Sequence, residues 1–191
     1  MNTQRLIGPT IEPVTVAELK ASPALRIDGA LDDAYLAALI SAARLECEQN
    51  TGRTLLSTTW ETVLSAFPAA GLPLPWPNVQ SVVHVKYTSA GLQTLAPSAY
   101  ALDASKLPPH LAPTSGNTWP ATETAANAVQ IRYTAGFDDP LASEAERRAS
   151  VPASLRCWVL LRAAQLYMGC DGGEAAAMAN HPLLWPFKVY P

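Results

Sequence analysis

Charge is scarce in this chain. Lys, Arg, Asp and Glu supply 15% of its 191 residues, against about a quarter in ordinary soluble domains, while apolar types reach 49%. Neither sign dominates: 13 Lys and Arg stand against 16 Asp and Glu, a net charge of −3. Such a balance lacks the basic excess with which a DNA-gripping protein neutralises phosphates, so a tight nucleic-acid reader is not expected. No run of about 18 uncharged apolar residues occurs, and the first residues lack a basic segment followed by an apolar one, so neither a membrane span nor a secretory signal is expected. The chain is expected to be made and kept in the cytoplasm.

Cysteine is equally sparse. Cys47, Cys157 and Cys170 form an odd, widely spaced set with no C-x-x-C pair, which excludes a disulfide framework and reads as reduced thiols. Cys47 and Cys157 fall within helical patterns and are expected to pack in the core. The three histidines, His84, His110 and His181, have no second ligand at helical or hairpin spacing, so no metal site is expected. No nucleophile elbow, phosphate-binding loop, dinucleotide glycine fingerprint or H-E-x-x-H is present, and no catalytic residue or cofactor is assigned. Asp32-Asp33 and Asp138-Asp139 read as helix-start and turn residues. Arg147-Arg148, beside Glu144 and Glu146, reads as a surface ion-pair cluster or a contact to an acidic partner surface.

What is present is a clear order of elements. Thr15 with Glu18 three residues on makes a capping box opening a short helix over 15–21, stopped by Pro23. Asp32 and Asp33 open a second helix over 32–51. In it Leu36, Leu39, Ile40, Ala43 and Cys47 form one stripe, Arg44, Glu46 and Glu48 take the remaining surface, and Gly52 closes the end. From Leu55 the period becomes two. Strands are expected around Trp60, Thr62 and Leu64, at Ser81–Tyr87 with Val83, Val85 and Tyr87 alternating, at 92–95 after a Ser89-Ala90-Gly91 turn, at Tyr100–Asp103 and at Val129–Thr134. Residues 104–127 read as a long loop anchored by Trp119, which either tucks over the sheet or waits for a neighbour.

Pro152 suits a helix start, and residues 152–169 run without a breaker. Their stripe of Cys157, Leu160, Leu161, Ala164 and Met168 is joined by Leu155, Trp158, Val159 and Leu166. So apolar a helix needs cover on more than one side, from its own chain or from a neighbouring subunit. After Gly172-Gly173 the tail, residues 181–191, carries three prolines among Leu183, Leu184, Trp185, Phe187 and Tyr190, and is expected to be neither helix nor central strand. An apolar terminus argues for cover by another subunit, a partner or the chain's own core.

The order from Glu12-Pro13-Val14-Thr15-Val16-Ala17-Glu18 through Asp32-Asp33, Thr51-Gly52-Arg53 and the Trp60 strand resembles the head-tail connector (adaptor) proteins of tailed bacteriophages and gene transfer agents. The resemblance continues through Ala66-Phe67-Pro68, Ser81–Tyr87, Asn127–Gly136 and Val151-Pro152, covering about Glu12 to Met168. It implies one connector domain over 1–191, with helical parts at 12–53 and 150–180, a β insertion at 54–137 and a tail at 181–191. The expected class is α+β: two long helices and a short N-terminal helix in a bundle, with an inserted antiparallel sheet or small barrel. It further implies a dodecameric ring at the head-tail junction of a virion, assembled in the host cytoplasm. The ring would bind the portal protein and a neck or tail-completion protein while DNA passes through its lumen without specific binding. Portal contacts carry over to Leu183, Leu184, Trp185, Phe187 and Tyr190, and subunit contacts are expected at Trp119, Trp158, Arg147 and Arg148. The alternative is a ligand-binding or enzymatic domain with a pocket near the 104–127 loop, around His110 and Trp119.

Overall fold

The structure, a computed structural model, describes residues 1–22, 25, 32–69, 71–169 and 172–189, with the side chains of 172–175 left aside. Pro23, Cys170 and Tyr190 lie outside the described residues. The chain divides into two compact units, one of residues 1–8 and 57–136, the other of 9–56 and 137–191.

The first unit is antiparallel β. Five strands, β1 (Asn2–Ile7), β2 (Thr58–Leu64), β4 (Val79–Thr88), β5 (Leu92–Leu95) and β8 (Val129–Ala135), form an open sheet in the order β1-β2-β8-β4-β5. A second sheet is ordered β3-β7-β6, from β3 (Leu72–Pro73), β7 (His110–Pro113) and β6 (Tyr100–Asp103). The insertion is therefore a pair of open sheets and not a barrel. The central strand β8 buries Val129, Ile131, Tyr133 and Ala135 at alternate positions, the period of a sheet with one covered face. Trp60 of β2 joins them and stacks on Trp76 with ring centroids 4.3 Å apart.

Three expectations for this unit are corrected. The strand β1 pairs with β2 where no element was expected. The supposed 104–127 loop contains β7, which follows Pro108 and Pro109 and ends on Pro113, residues that argue against a strand. In β4, register shifts at Gln80 and Val83 break the simple alternation. A bulge inserts one residue and turns the following side chains over, so Val82 faces the core while Val83 is exposed.

The second unit is helical: α1 (Val16–Ala21), α2 (Asp33–Thr51), α3 (Glu144–Ser150), α4 (Ala153–Tyr167), α5 (Gly172–Ala179) and a 3-10 helix at Pro182–Phe187. Thr15 and Glu18 form the expected capping box, and Gly52 ends α2 at φ 65°, a left-handed conformation in which a side chain is disfavoured. Ser143 and Glu146 build a second capping box for α3, a helix the sequence reading leaves out. Leu19, Leu36, Ile40, Ala43, Cys47, Leu155, Trp158, Val159 and Ala163 share one buried core.

Two faces differ from expectation. Arg44 and Glu48 are buried, not at the surface. The Arg44 guanidinium lies between Glu12 (2.7 Å) and Glu48 (3.0 Å), and the other Glu48 oxygen accepts the Leu55 amide at 3.1 Å. A charge buried this deeply survives because every partner is in place. On α4 the buried stripe runs through Leu155, Trp158, Val159, Arg162 and Ala163, so Cys157, Leu161 and Met168 lie on the open flank.

Candidate interaction surface

The tail is tied to the helical unit. Pro182 suits the first turn of the 3-10 helix because its missing N–H costs no bond there, and the His181 imidazole accepts from the Leu183 amide at 3.3 Å. Leu184 is fully buried, and Leu183 and Phe187 pack partly against the same core. Arg53 donates to the Phe187 carbonyl at 2.6 Å, and the Val189 amide donates to the Thr51 carbonyl at 2.9 Å. Three of the five candidate portal residues are thus engaged with their own unit, and a fourth, Tyr190, lies outside the described residues. Trp185 remains 59% exposed, its indole N–H held by the Asn180 carbonyl at 2.9 Å.

The proposed subunit-contact residues fare differently. Trp158 is fully buried and donates its indole N–H to the Met178 carbonyl at 3.0 Å; with no exposed surface it is a core residue, which corrects its assignment as a contact. Arg147 is also buried, pairing with the buried Asp138 at 2.7 Å and donating to Thr10 at 3.0 Å. The surface-cluster reading falls for Arg147, as does the reading of Asp138 as a solvated turn residue, while Asp139 does serve a turn by accepting the Leu141 amide at 2.9 Å. Arg148 donates to the Glu12 carbonyl at 3.1 Å and pairs with exposed Glu144 at 2.9 Å. Trp119, in the β unit, stacks on Phe67 with centroids 4.6 Å apart and planes 6° apart, so it is tucked against its own sheets.

The open flank of α4 was not singled out as a contact by its phase in the sequence. Leu161 and Met168 are 39% and 54% exposed. With Ala164, Gln165, Ala177, Met178 and His181 they line an open groove of about 460 Å³. Exposed apolar side chains gathered in this way are the usual makings of a contact surface.

The ligand-pocket alternative meets a cleft of about 470 Å³ lined by Phe67, Pro113, Asn117, Trp119 and Thr122 among others, without a titratable side chain in the lining. His110 is not part of it; its ring Nδ1 lies 2.8 Å from the Pro108 carbonyl. Among the described residues, no group of three or more His, Cys, Asp or Glu could hold a metal ion, and no helix is long and apolar enough to cross a membrane.

Electrostatic shifts sit at structural positions. Partial burial alone would raise the Glu18 carboxyl, but bonds from the Thr15 amide and hydroxyl and the Arg156 guanidinium outweigh it and hold Glu18 below its usual value. Burial, then the neighbouring Glu48, pushes the Cys47 thiol far up. Desolvation, then Lys86 and Arg132, lowers His84 in the β unit.

The chain is therefore an α+β protein of two units, whose helical unit buries Arg44 with Glu48 and Arg147 with Asp138 in internal pairs and leaves Leu161 and Met168 exposed. No protein-family model and no curated protein matches the sequence, but the same fold occurs in solved gene transfer agent (GTA) particles. A chain in the neck of an empty GTA particle computed with C6 symmetry aligns with TM-score 0.79 and 23% identity, and one in the native virion with 0.76 and 23%. A chain in the native neck computed with C12 symmetry gives 0.74 and 25%. Each alignment covers 100% of this chain and 97% of the other.

Proposed function

We propose that this protein is a structural subunit of a phage-like particle: a head-tail connector that joins the portal as a ring, extends the DNA channel and offers an attachment surface to neck or tail proteins. The observation that carries the reading is the likeness, along its whole length, to chains of GTA necks. Those necks have cyclic symmetry, and a cyclic ring needs two different patches on each copy, one meeting the other on its neighbour. The α4 flank, with Leu161 and Met168, is one such patch, and exposed Trp185 is the tail residue left to meet the portal. The core shared by α1, α2 and α4 supports the reading of a helical bundle as the body of the subunit.

The chemistry of the β unit suits a channel wall. Its charges are few, Arg5, Lys86, Lys106 and Arg132 against Glu61, Asp103 and Glu123, too nearly balanced to grip a phosphate backbone. DNA would pass it without sticking.

The test is binding of the purified subunit to isolated portal rings, read by electron microscopy. A ring of this chain on the portal, weakened by Met168→Asp or Trp185→Ala without loss of folding, is the expected result. Portal rings that stay bare at high subunit concentration would rule the reading out.

A further inference from the structure

We infer that the N-terminal strand β1 is exchanged between neighbouring copies in the assembled ring, each subunit laying its β1 along β2 of the next. This rests on the ring reading above and names the strand that links one copy to another. Four observations carry it.

First, β1 sits at the edge of the five-stranded sheet and pairs there with β2, from Asn2 opposite Val63 to Ile7 opposite Thr59. Second, no hydrophobic residue of β1 belongs to the core of the β unit, to which β2, β4 and β8 all contribute; its half-buried positions are the polar Thr3 and Arg5. It is held by its backbone ladder, by the Thr3 hydroxyl 2.9 Å from that of Thr62, and by the Arg5 guanidinium 5.2 Å from the Trp60 ring centroid. Removing β1 from its place uncovers no core side chain of its own. Third, the chain leaves the β unit immediately after β1, at Gly8, and enters the helical unit at Pro9. So short a connector, with one residue of fixed φ, is the kind of hinge at which exchange occurs. Fourth, Leu6 and Ile7 are exposed at the hinge end of the strand, and a register shift between Arg5 and Ile7 interrupts the ladder there.

Exchange re-forms the same bonds between different chains, so the two arrangements differ chiefly in whether the partner strand is tethered. An isolated subunit keeps its own β1. In a ring held on a portal, neighbouring copies are at high effective concentration and the exchanged form competes. Because each copy gives to one neighbour and receives from the other, the exchange is head-to-tail, as a cyclic assembly requires.

The experiment places a disulfide between opposed positions. A Thr3→Cys/Thr62→Cys variant, with Cys157→Ser and Cys170→Ser so that only the buried Cys47 remains of the native thiols, is oxidised alone and after assembly on portal rings. Both samples are run on denaturing gels without reductant. The isolated subunit should give a single-chain product, and the assembled ring a ladder of linked chains with loss of the single-chain form. Rings that assemble yet yield only the single-chain product overturn the exchange while leaving the connector reading intact; bare portals remove both. A chain lacking residues 1–7 gives an independent check. It should melt cooperatively and fail to close rings, whereas rings as complete as those of the full chain, or unfolding of the β unit, would refute the inference.

Discussion

Arg147 and Asp138 form an ion pair sealed inside the helical unit, Nε to Oδ2 at 2.7 Å, with the carboxylate side chain fully buried. Nine residues apart in sequence, they join the segment entering α3 to α3 itself, while Arg147 also reaches Thr10 at 3.0 Å. Arg147→Ala strands a buried carboxylate and should cost about 3–5 kcal/mol. The double variant Arg147→Met/Asp138→Asn should lose less, because no uncompensated charge remains. Urea unfolding of the three proteins measures the difference; equal stability of Arg147→Ala and wild type would contradict the burial.

The tail offers a contrast between neighbours. Leu184→Ala removes a fully buried side chain and should destabilise by about 2–5 kcal/mol. Trp185→Ala, at an exposed position, should change stability by less than about 1 kcal/mol. Truncation after Gly173 removes both Met178 and Leu184 from the core, so the shortened chain should melt well below the full one. An unaffected melting point would mean that the tail is not part of the helical unit.

Thiol reactivity separates the cysteines by environment. In a Cys170→Ser background, Cys157 is exposed and should react with a disulfide reagent in the native protein. Cys47, buried with its thiolate strongly disfavoured, should react only on unfolding. Stopped titration of native and denatured protein counts one thiol, then two.

Glu18 makes stability depend on acid. Its folded-state pKa is depressed, so its stabilising contribution is fully present above the ordinary carboxylate value and is lost as pH falls through the lower folded value. Melting midpoints should therefore drop below the usual carboxylate range, and drop less steeply for Glu18→Gln. Parallel pH profiles for the two proteins would show that Thr15 and Arg156 do not favour the charged form.

Local signals were legible where a short residue pattern decides the backbone. Thr15-x-x-Glu18 marked the start of α1 and Gly52 the end of α2, because a cap is a contact over three or four residues. The same pattern stands at Ser143-x-x-Glu146, where it caps α3. Phase was less legible. Leu39 reads as a core position beside Ile40, but Leu39 is only partly buried while Ile40 is fully so; the boundary of a buried face is set by what packs on it. On α4, nearly every turn offers apolar residues, so periodicity could not choose between the Cys157 and Trp158 faces; the indole bond to Met178 and the Arg162–Glu46 pair at 2.7 Å show which side faces inward. The β bulges at Gln80 and Val83 and the pairing of β1 depend on partners far along the chain, such as Arg132 opposite His84 and Thr59 opposite Ile7, which no local window contains. The candidate site was read least well, because whether Arg147 or Leu183 faces outward is a property of the finished fold.

The interleaving of the two units has a consequence for synthesis. The β unit is assembled from the first eight residues and from 57–136, while the helical unit needs both 9–56 and 137–191. As the chain leaves the ribosome, its sheets are complete in sequence before α4 and the tail, which share the core of α2, exist. The helical half must then wait, with only α1 beside its first long helix, for the final segment, 137–191, to be translated.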